Sequence, residues 1–317
     1  MGRILVIRGG AIGDFILTLP VLRLLRENFP DAHLEILGYR HIVALAENRF
    51  YAQATRSIEY GRLSPFFIPN AELDAELVEY FAGFHQVISY LFDPDHFFEN
   101  NLRRAGVKNL ITGSPKIGDA SHATYQLAAP LESMALFLDD PAAQLFPSAQ
   151  DVAGVSQQFQ FSGRPLIAIH PGSGGERKCW PVESWSTLVR QLHAAHPQAE
   201  FMVIIGEADE ARFAAMAGAM AGVRHQVLRH LPLPLLAAAL SQGALFIGHD
   251  SGISHIAAAV GTPCLLLFGP TDPEVWAPKN SAVRVLSAPD GLLFQLPPEQ
   301  VFETAQAMLS SGSGGQI

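Results

Sequence analysis

Short β-favouring apolar runs that end in glycine-rich loops and lead into helices recur along this chain. That repeat constrains the fold more than any other feature. Ile4 to Ile7 is the first such run, and Gly9, Gly10 and Gly13 follow it in a loop. Phe15, Leu19, Leu22 and Phe29 then recur at helical spacing, which predicts a helix from Asp14 to Asn28. Pro20 falls inside it, and its missing amide predicts a kink. His33 to Leu37 reads as the next strand. Strand, helix and strand in that order form a βαβ unit, which means a parallel sheet.

The second half repeats the pattern. Strands are expected over Leu166 to Ile169, Phe201 to Ile205, Ala244 to Ile247 and Cys264 to Phe268. Helices are expected over Val182 to Ala195, Asp209 to Met220, Leu233 to Ser241, Ser254 to Val260 and Pro298 to Leu309. The fold class is therefore α/β, with two doubly wound parallel sheets. A length of 317 residues agrees with two domains at about 150 residues each. The boundary is placed near residue 150, in a stretch from Asp139 to Gly163 rich in Pro, Ser, Gln and Ala that reads as a linker. Residues 1–150 and 151–317 are the expected domains. In open sheets of this kind ligands sit at the carboxyl ends of the strands. The polar loops at 9–14, 170–178, 206–210, 248–255 and 269–273 all fall there, so a cleft lined by them is expected. The Ser/Gly tail from Ser310 to Gly315 reads as mobile.

Composition narrows the class. Hydrophobic residues make up 49% and charged residues 16%, against a usual charged share of about 25%. A disordered chain is excluded. Thirty acidic residues against 21 basic ones give a net charge of −9, which argues against nucleic acid as a partner. Two cysteines, Cys179 and Cys264, form no CxxC, which fits a reducing cytosol with both as small apolar fillers. The uncharged stretches between Leu231 and Thr271 are broken by Pro232, Pro234, Gly243, Gly248, Gly261 and Pro263, and read as buried helices and strands rather than a membrane span. The low charge density leaves room for an apolar surface against lipid or an amphipathic substrate.

Three loops carry candidate chemistry. The first is Gly9-Gly10-Ala11-Ile12-Gly13-Asp14, where Arg8 stands in the place of the first glycine of a dinucleotide fingerprint. What remains is a turn delivering a carboxylate to a helix start. Asp14 is either a helix cap or, since a carboxylate repels phosphate, a base toward a hydroxyl. The second is Ser173-Gly174-Gly175-Glu176-Arg177-Lys178, small residues that let amides approach an anion, with Lys178 as a point charge and Arg177 as a solvated one. Trp180-Pro181 closes that loop onto the next helix. The third, Gly248-His249-Asp250-Ser251-Gly252-Ile253-Ser254-His255, follows a strand and opens a helix whose free amides at Ser251 and Gly252 suit a diphosphate. Asp250 is read there as holding sugar hydroxyls and His255 as donating to a phosphate oxygen, against capping as the alternative. Thr271 lies in a tight turn, Asp93-Pro94-Asp95-His96 is a surface turn, and His193 and His196 read as exposed. Arg103, Arg104 and Lys108 read as a solvated basic cluster.

Together the segments ILVIRGGAIGDFILTLPVLRLLRENFPDA, IHPGSGGERKCWPVESW and IGHDSGISHIAAAVGTPCLLLFGPTDPEVWAP resemble glycosyltransferase family 9, the ADP-heptose:lipopolysaccharide heptosyltransferases. The resemblance implies a GT-B fold, with two Rossmann-like domains facing a central cleft and the last helix, about 298–309, packing back on the first domain. It implies inverting, metal-independent transfer of a sugar from a nucleotide-sugar donor, ADP-linked, to a glycan or glycolipid hydroxyl, without a further cofactor. By the matched motifs Asp14 and Lys178 are the catalytic pair. Gly13, Ser173, Gly174, Lys178, Asp250, Ser251, Gly252 and His255 are the donor-binding set. Glu210 faces the ribose, with Asp209 and Glu207 as alternatives. The resemblance also implies a cytoplasmic enzyme, peripheral to the inner membrane. A nucleotide-sugar epimerase or hydrolase on the same fold, and a non-catalytic nucleotide-sugar-binding protein, are the competing readings.

Overall fold

A computed structural model describes residues 2–206 and 209–312. Two compact units divide the chain, Met1–Pro141 and Ala142–Ile317.

In the first unit β1 (Arg3–Arg8) leads through α1 (Ile12–Asn28) to β2 (His33–Gly38), then α2 (Arg40–Val43) and β3 (Ala54–Ser57). α3 (Ala75–Ala82), β4 (Gln86–Ser89), α4 (Phe97–Arg104), β5 (Leu110–Thr112) and α5 (Ala123–Ala128) follow. The sheet order is β3-β2-β1-β4-β5 and every pairing is parallel. β1 reads as an unbroken apolar run because both its faces are covered, and Leu5, Val6 and Ile7 are fully buried. The chain reverses direction across the sheet at β1, so the gap between the ends of β1 and β4 is its switch point, the kind of place where open sheets bind ligands. Register sets Arg8 beside Gly38 and Ile7 beside Ser89 at that edge.

α1 runs unbroken through the buried Pro20 to Asn28, so the expected kink does not interrupt it. Between Tyr39 and Asn109, where the sequence is least periodic, the core is aromatic: Phe66 lies 4.9 Å from Phe81 and 6.2 Å from Phe98, ring to ring. Asp93 accepts bonds from the amides of Phe98 and Glu99, which makes its surface turn the entry to α4.

The second unit opens with α6 (Ala149–Gln158), then β6 (Leu166–His170), α7 (Val182–Ala195), β7 (Glu200–Ile205), α8 (Glu210–Met220), β8 (His225–Arg229) and α9 (Leu233–Leu240). It continues through β9 (Leu245–His249), α10 (Gly252–Ala259), β10 (Cys264–Phe268), α11 (Pro273–Trp276), β11 (Val283–Ser287) and α12 (Pro298–Gly312). The order β11-β10-β9-β6-β7-β8 is again wholly parallel, with its switch point between β6 and β9. His170 pairs with Gly248 there, so the loops after β6 and β9 start side by side.

Three expectations are corrected. The linker stretch contains α6, because Ser148 and Asp151 cap it reciprocally: the Asp151 amide donates to Ser148 Oγ at 3.1 Å and the Ser148 amide to Asp151 Oδ2 at 2.7 Å. The closing helix buries Val301, Ala305 and Met308 in the second unit's own core, in one cluster with Trp180 and Trp185. That helix also takes in Ser310 and Ser311, whose hydroxyls bond back to the carbonyls of Gln306 and Ala307, so these two are not tail. The rest of the Ser/Gly tail lies outside the described residues. His193 and His196, expected to be exposed, are half-buried, one in the last turn of α7 and the other at its C-cap, next to the buried Leu192.

Candidate active site

At the first switch point the candidate side chain is Asp14, the third residue of α1. Ala11 occupies the cap position, so the capping reading of Asp14 is corrected in detail: its Oδ2 reaches back to accept the Ala11 amide at 2.8 Å. The turn that allows this needs glycine at position 10. Gly10 has φ of +95°, and a Cβ there would lie 2.6 Å from Asp14 Oδ2.

Beneath the carboxylate lies Arg8, 3% exposed, whose sequence position marks it only as the residue in place of a fingerprint glycine. Its Nη2 is 3.5 Å from Asp14 Oδ1. Its Nε donates to Thr18 Oγ1 at 3.1 Å, and Thr18 Oγ1 donates to the Asp14 carbonyl at 2.7 Å. Burial pulls the guanidinium's proton affinity down, and the facing Asp14 and Tyr90 oppose that pull. Tyr90 is buried and donates to the Leu127 carbonyl at 2.7 Å, and burial raises its phenol. Asp14, 30% exposed at its side chain, opens onto a cavity of about 590 Å³. Tyr39, Glu59, Phe92 and Lys116 are among its other walls. This half can therefore present an oriented carboxylate to a hydroxyl in a partly apolar pocket. Gly13 lies within the first turn of α1.

At the second switch point the candidates meet directly. Lys178 Nζ lies 2.6 Å from Asp250 Oδ2, and Thr271 Oγ1 donates to the same oxygen at 2.8 Å. Ser173 Oγ donates to the Asp250 carbonyl at 2.9 Å. Asp250, read from sequence as a holder of sugar hydroxyls, is thus first the partner of Lys178. Thr271, read as turn chemistry, belongs to the same cluster. Ser251 caps α10: the Ser254 amide donates to its Oγ at 3.4 Å. Gly252 is the first helical residue, and His255 is buried one turn on. Gly174 is exposed on the crown of the loop after β6.

Asp209 is also turned inward. Its Oδ2 accepts the Gly206 amide at 2.9 Å and lies 3.3 Å from His170 Nε2. Burial opposes its ionisation, but the bonds from His170 and the Gly206 amide hold its carboxyl below the usual range. Asp209 is therefore engaged within the fold. Glu210 does lie outward, at the start of α8, 3.0 Å from Arg229 and 3.6 Å from His230. Glu207, the third alternative, lies outside the described residues. Arg103 pairs with Glu99 at 2.9 Å, in keeping with a solvated cluster. Among the described residues no three His, Cys, Asp or Glu side chains are grouped to hold a metal ion.

The model of glycosyltransferase family 9 (heptosyltransferase) matches residues 122–295. Lipopolysaccharide heptosyltransferase 3 of Escherichia coli is 25% identical over 308 aligned residues, covering 84% of this chain and 83% of its own. The solved structure of a family 9 glycosyl transferase from Veillonella parvula superposes with a TM-score of 0.80 at 20% identity, covering 98% of each chain. The ADP-heptose lps heptosyltransferase II of E. coli gives 0.73 at 20% identity, covering 98% of this chain and 99% of its own.

Proposed function

The chain belongs to glycosyltransferase family 9 and is a glycosyltransferase of the GT-B fold, and on that premise we propose that it moves heptose from ADP-heptose to a hydroxyl of a lipopolysaccharide-core acceptor, with inversion and without a metal. The observation that carries the reading is the cluster of Ser173, Lys178, Asp250 and Thr271 beside the N-terminus of α10. A helix start supplies free amides, and a lysine beside it supplies a positive charge. Together they suit a diphosphate.

Asp14 takes the proton of the acceptor hydroxyl while that oxygen bonds to the anomeric carbon. The bond from that carbon to the β-phosphate oxygen breaks, and its electron pair leaves with ADP. A carboxylate is a weak base for a sugar hydroxyl, so the proton moves late and the leaving group carries much of the barrier. Lys178, the amides at Ser251 and Gly252, and His255 stabilise the growing charge on the diphosphate, and one such contact is worth about 2.7–4 kcal/mol. The phosphate draws Lys178 from its pairing with Asp250, which frees that carboxylate toward the sugar. Glu210 faces the ribose. Asp14 is held from two sides by Arg8 and the Ala11 amide, so its orientation is set before the acceptor arrives.

No helix among the described residues is long and apolar enough to cross a membrane. We place the enzyme on the cytoplasmic side, peripheral to the inner membrane where its acceptor would lie. The test is calorimetric titration with ADP, UDP, GDP and dTDP, with and without magnesium. Binding of ADP alone, unchanged by magnesium, is expected. Preference for another nucleotide would remove ADP-heptose as the donor.

A further inference from the structure

We infer that His249 is a positioning residue for the donor site: its buried imidazole fastens both feet of the loop that carries Ser173 and Lys178. The inference rests on the reading of Lys178 as a ligand of the donor phosphate.

His249 ends β9 and is fully buried. Its Nδ1 lies 3.0 Å from the Gly172 carbonyl, and its Nε2 accepts the Trp180 amide at 2.9 Å. A carbonyl only accepts and an amide only donates, so the pair of bonds fixes one tautomer, with the proton on Nδ1. Gly172 and Trp180 are the two ends of the loop. Trp185 stands edge-on to the imidazole, 5.4 Å away at 88°, which sets the plane of the ring. Trp180 is itself anchored, its indole N–H donating to the Leu296 carbonyl at 3.0 Å.

The crown of the loop has little packing of its own. A Cβ built on Gly174 or Gly175 would meet nothing within 4 Å. Inside the loop, Ser173 and Lys178 both reach residue Asp250, the neighbour of His249. One strand end therefore holds the loop through four atoms: His249 Nδ1 and Nε2, and the carbonyl and Oδ2 of Asp250. When a phosphate draws Lys178 away from Asp250, the imidazole bonds remain to hold the loop. The charged and titratable groups around the ring are His170, Asp209 and Arg212, and burial holds the imidazole neutral down to about pH 3. The fastening thus persists through the working pH range.

The test is ADP affinity by calorimetry on the whole chain and on His249→Phe, Lys178→Ala and the double variant. His249→Phe keeps a ring of similar size and removes both bonds. It should weaken ADP about tenfold in the parent. In the Lys178→Ala background the same change should cost less than about twofold, because the effect runs through Lys178. An equal loss in both backgrounds, or none in the parent, overturns the inference. If Lys178→Ala itself binds ADP like the parent, the phosphate role of Lys178 falls and this inference with it. If Lys178→Ala weakens ADP and His249→Phe does not, only this inference falls. Should His249→Phe not fold, imidazole nitrogen NMR of the unmodified chain decides: a proton on Nδ1 supports the fastening, and a proton on Nε2 overturns it.

Discussion

Gly172→Ala should destabilise the second unit through a single collision. A Cβ at that position would lie 1.8 Å from Asp209 Oδ1, 2.2 Å from its Cγ and 2.6 Å from its Oδ2. Contact at an ordinary 3.4 Å would require a shift of 1.6 Å (3.4 less 1.8). The Asp209 carboxylate has nowhere cheap to go, because it is buried and tied to the Gly206 amide and His170. Moving it breaks two buried hydrogen bonds at about 1–3 kcal/mol each, so the cost is about 2–6 kcal/mol. For a unit of this size each kcal/mol lowers the Tm by about 2–4 °C, which gives a fall of about 4–24 °C. The Gly172 carbonyl also receives the His249 proton, so ADP affinity should fall with stability. Thermal denaturation in the Asp209→Ala background is the discriminating assay. With the carboxylate gone, Gly172→Ala should cost less than about 1 kcal/mol. An equal fall in Tm in both backgrounds would refute the collision as the cause.

Three further outcomes are expected. Asp14→Asn should bind ADP like the parent but lose turnover by about 10²–10⁴, the usual share of a general base; full turnover would remove Asp14 from that role. Ser148→Ala should cost about 1 kcal/mol in urea denaturation through loss of the α6 cap, and no loss would mean the reciprocal capping is not formed. Burial lowers the His249 imidazole from its ordinary 6.5 to about 3, so between those values the unfolded chain binds a proton that the folded one refuses. Its contribution to stability is therefore complete above about pH 6.5 and declines as pH falls toward 3. His249→Phe should flatten that part of a urea-midpoint profile, and parallel profiles would contradict the assignment.

The features legible in the sequence were those with a local cause. Buried parallel strands such as Ile4 to Ile7 and Cys264 to Phe268 must be apolar on both faces, so they stood out as runs, and the loops at their ends located both switch points. α6 also had a local signal, the S-x-x-D of Ser148 and Asp151, but the surrounding Pro, Ser and Gln outweighed it in a reading by composition. The segment from Tyr39 to Asn109 folds around Phe66, Phe81 and Phe98, which lie 15 to 32 positions apart and show no short period. Arg8 offered one clue, a cation closing an apolar strand, but its role appears only when α1 folds Asp14 over it. The pairings at the second unit's switch point join residues far apart in the chain, Lys178 with Asp250, His170 with Asp209, and Trp180 with His249. No local pattern reports such partners, because they are chosen by strand order. The motifs marked loops at the strand ends. The sheet decided which of their atoms touch, and in doing so turned Asp209 inward and gave Asp250 to Lys178.

The most direct test of the account is a transfer reaction. The chain would be incubated with ADP-heptose and lipopolysaccharide from E. coli lacking its heptosyltransferase 3, in the presence of a chelator, with the product's anomeric centre read by NMR. The account predicts acceptor-dependent release of ADP and a heptoside of inverted configuration, both lost in Asp14→Asn. Retained configuration, or ADP release that ignores the acceptor, would contradict it.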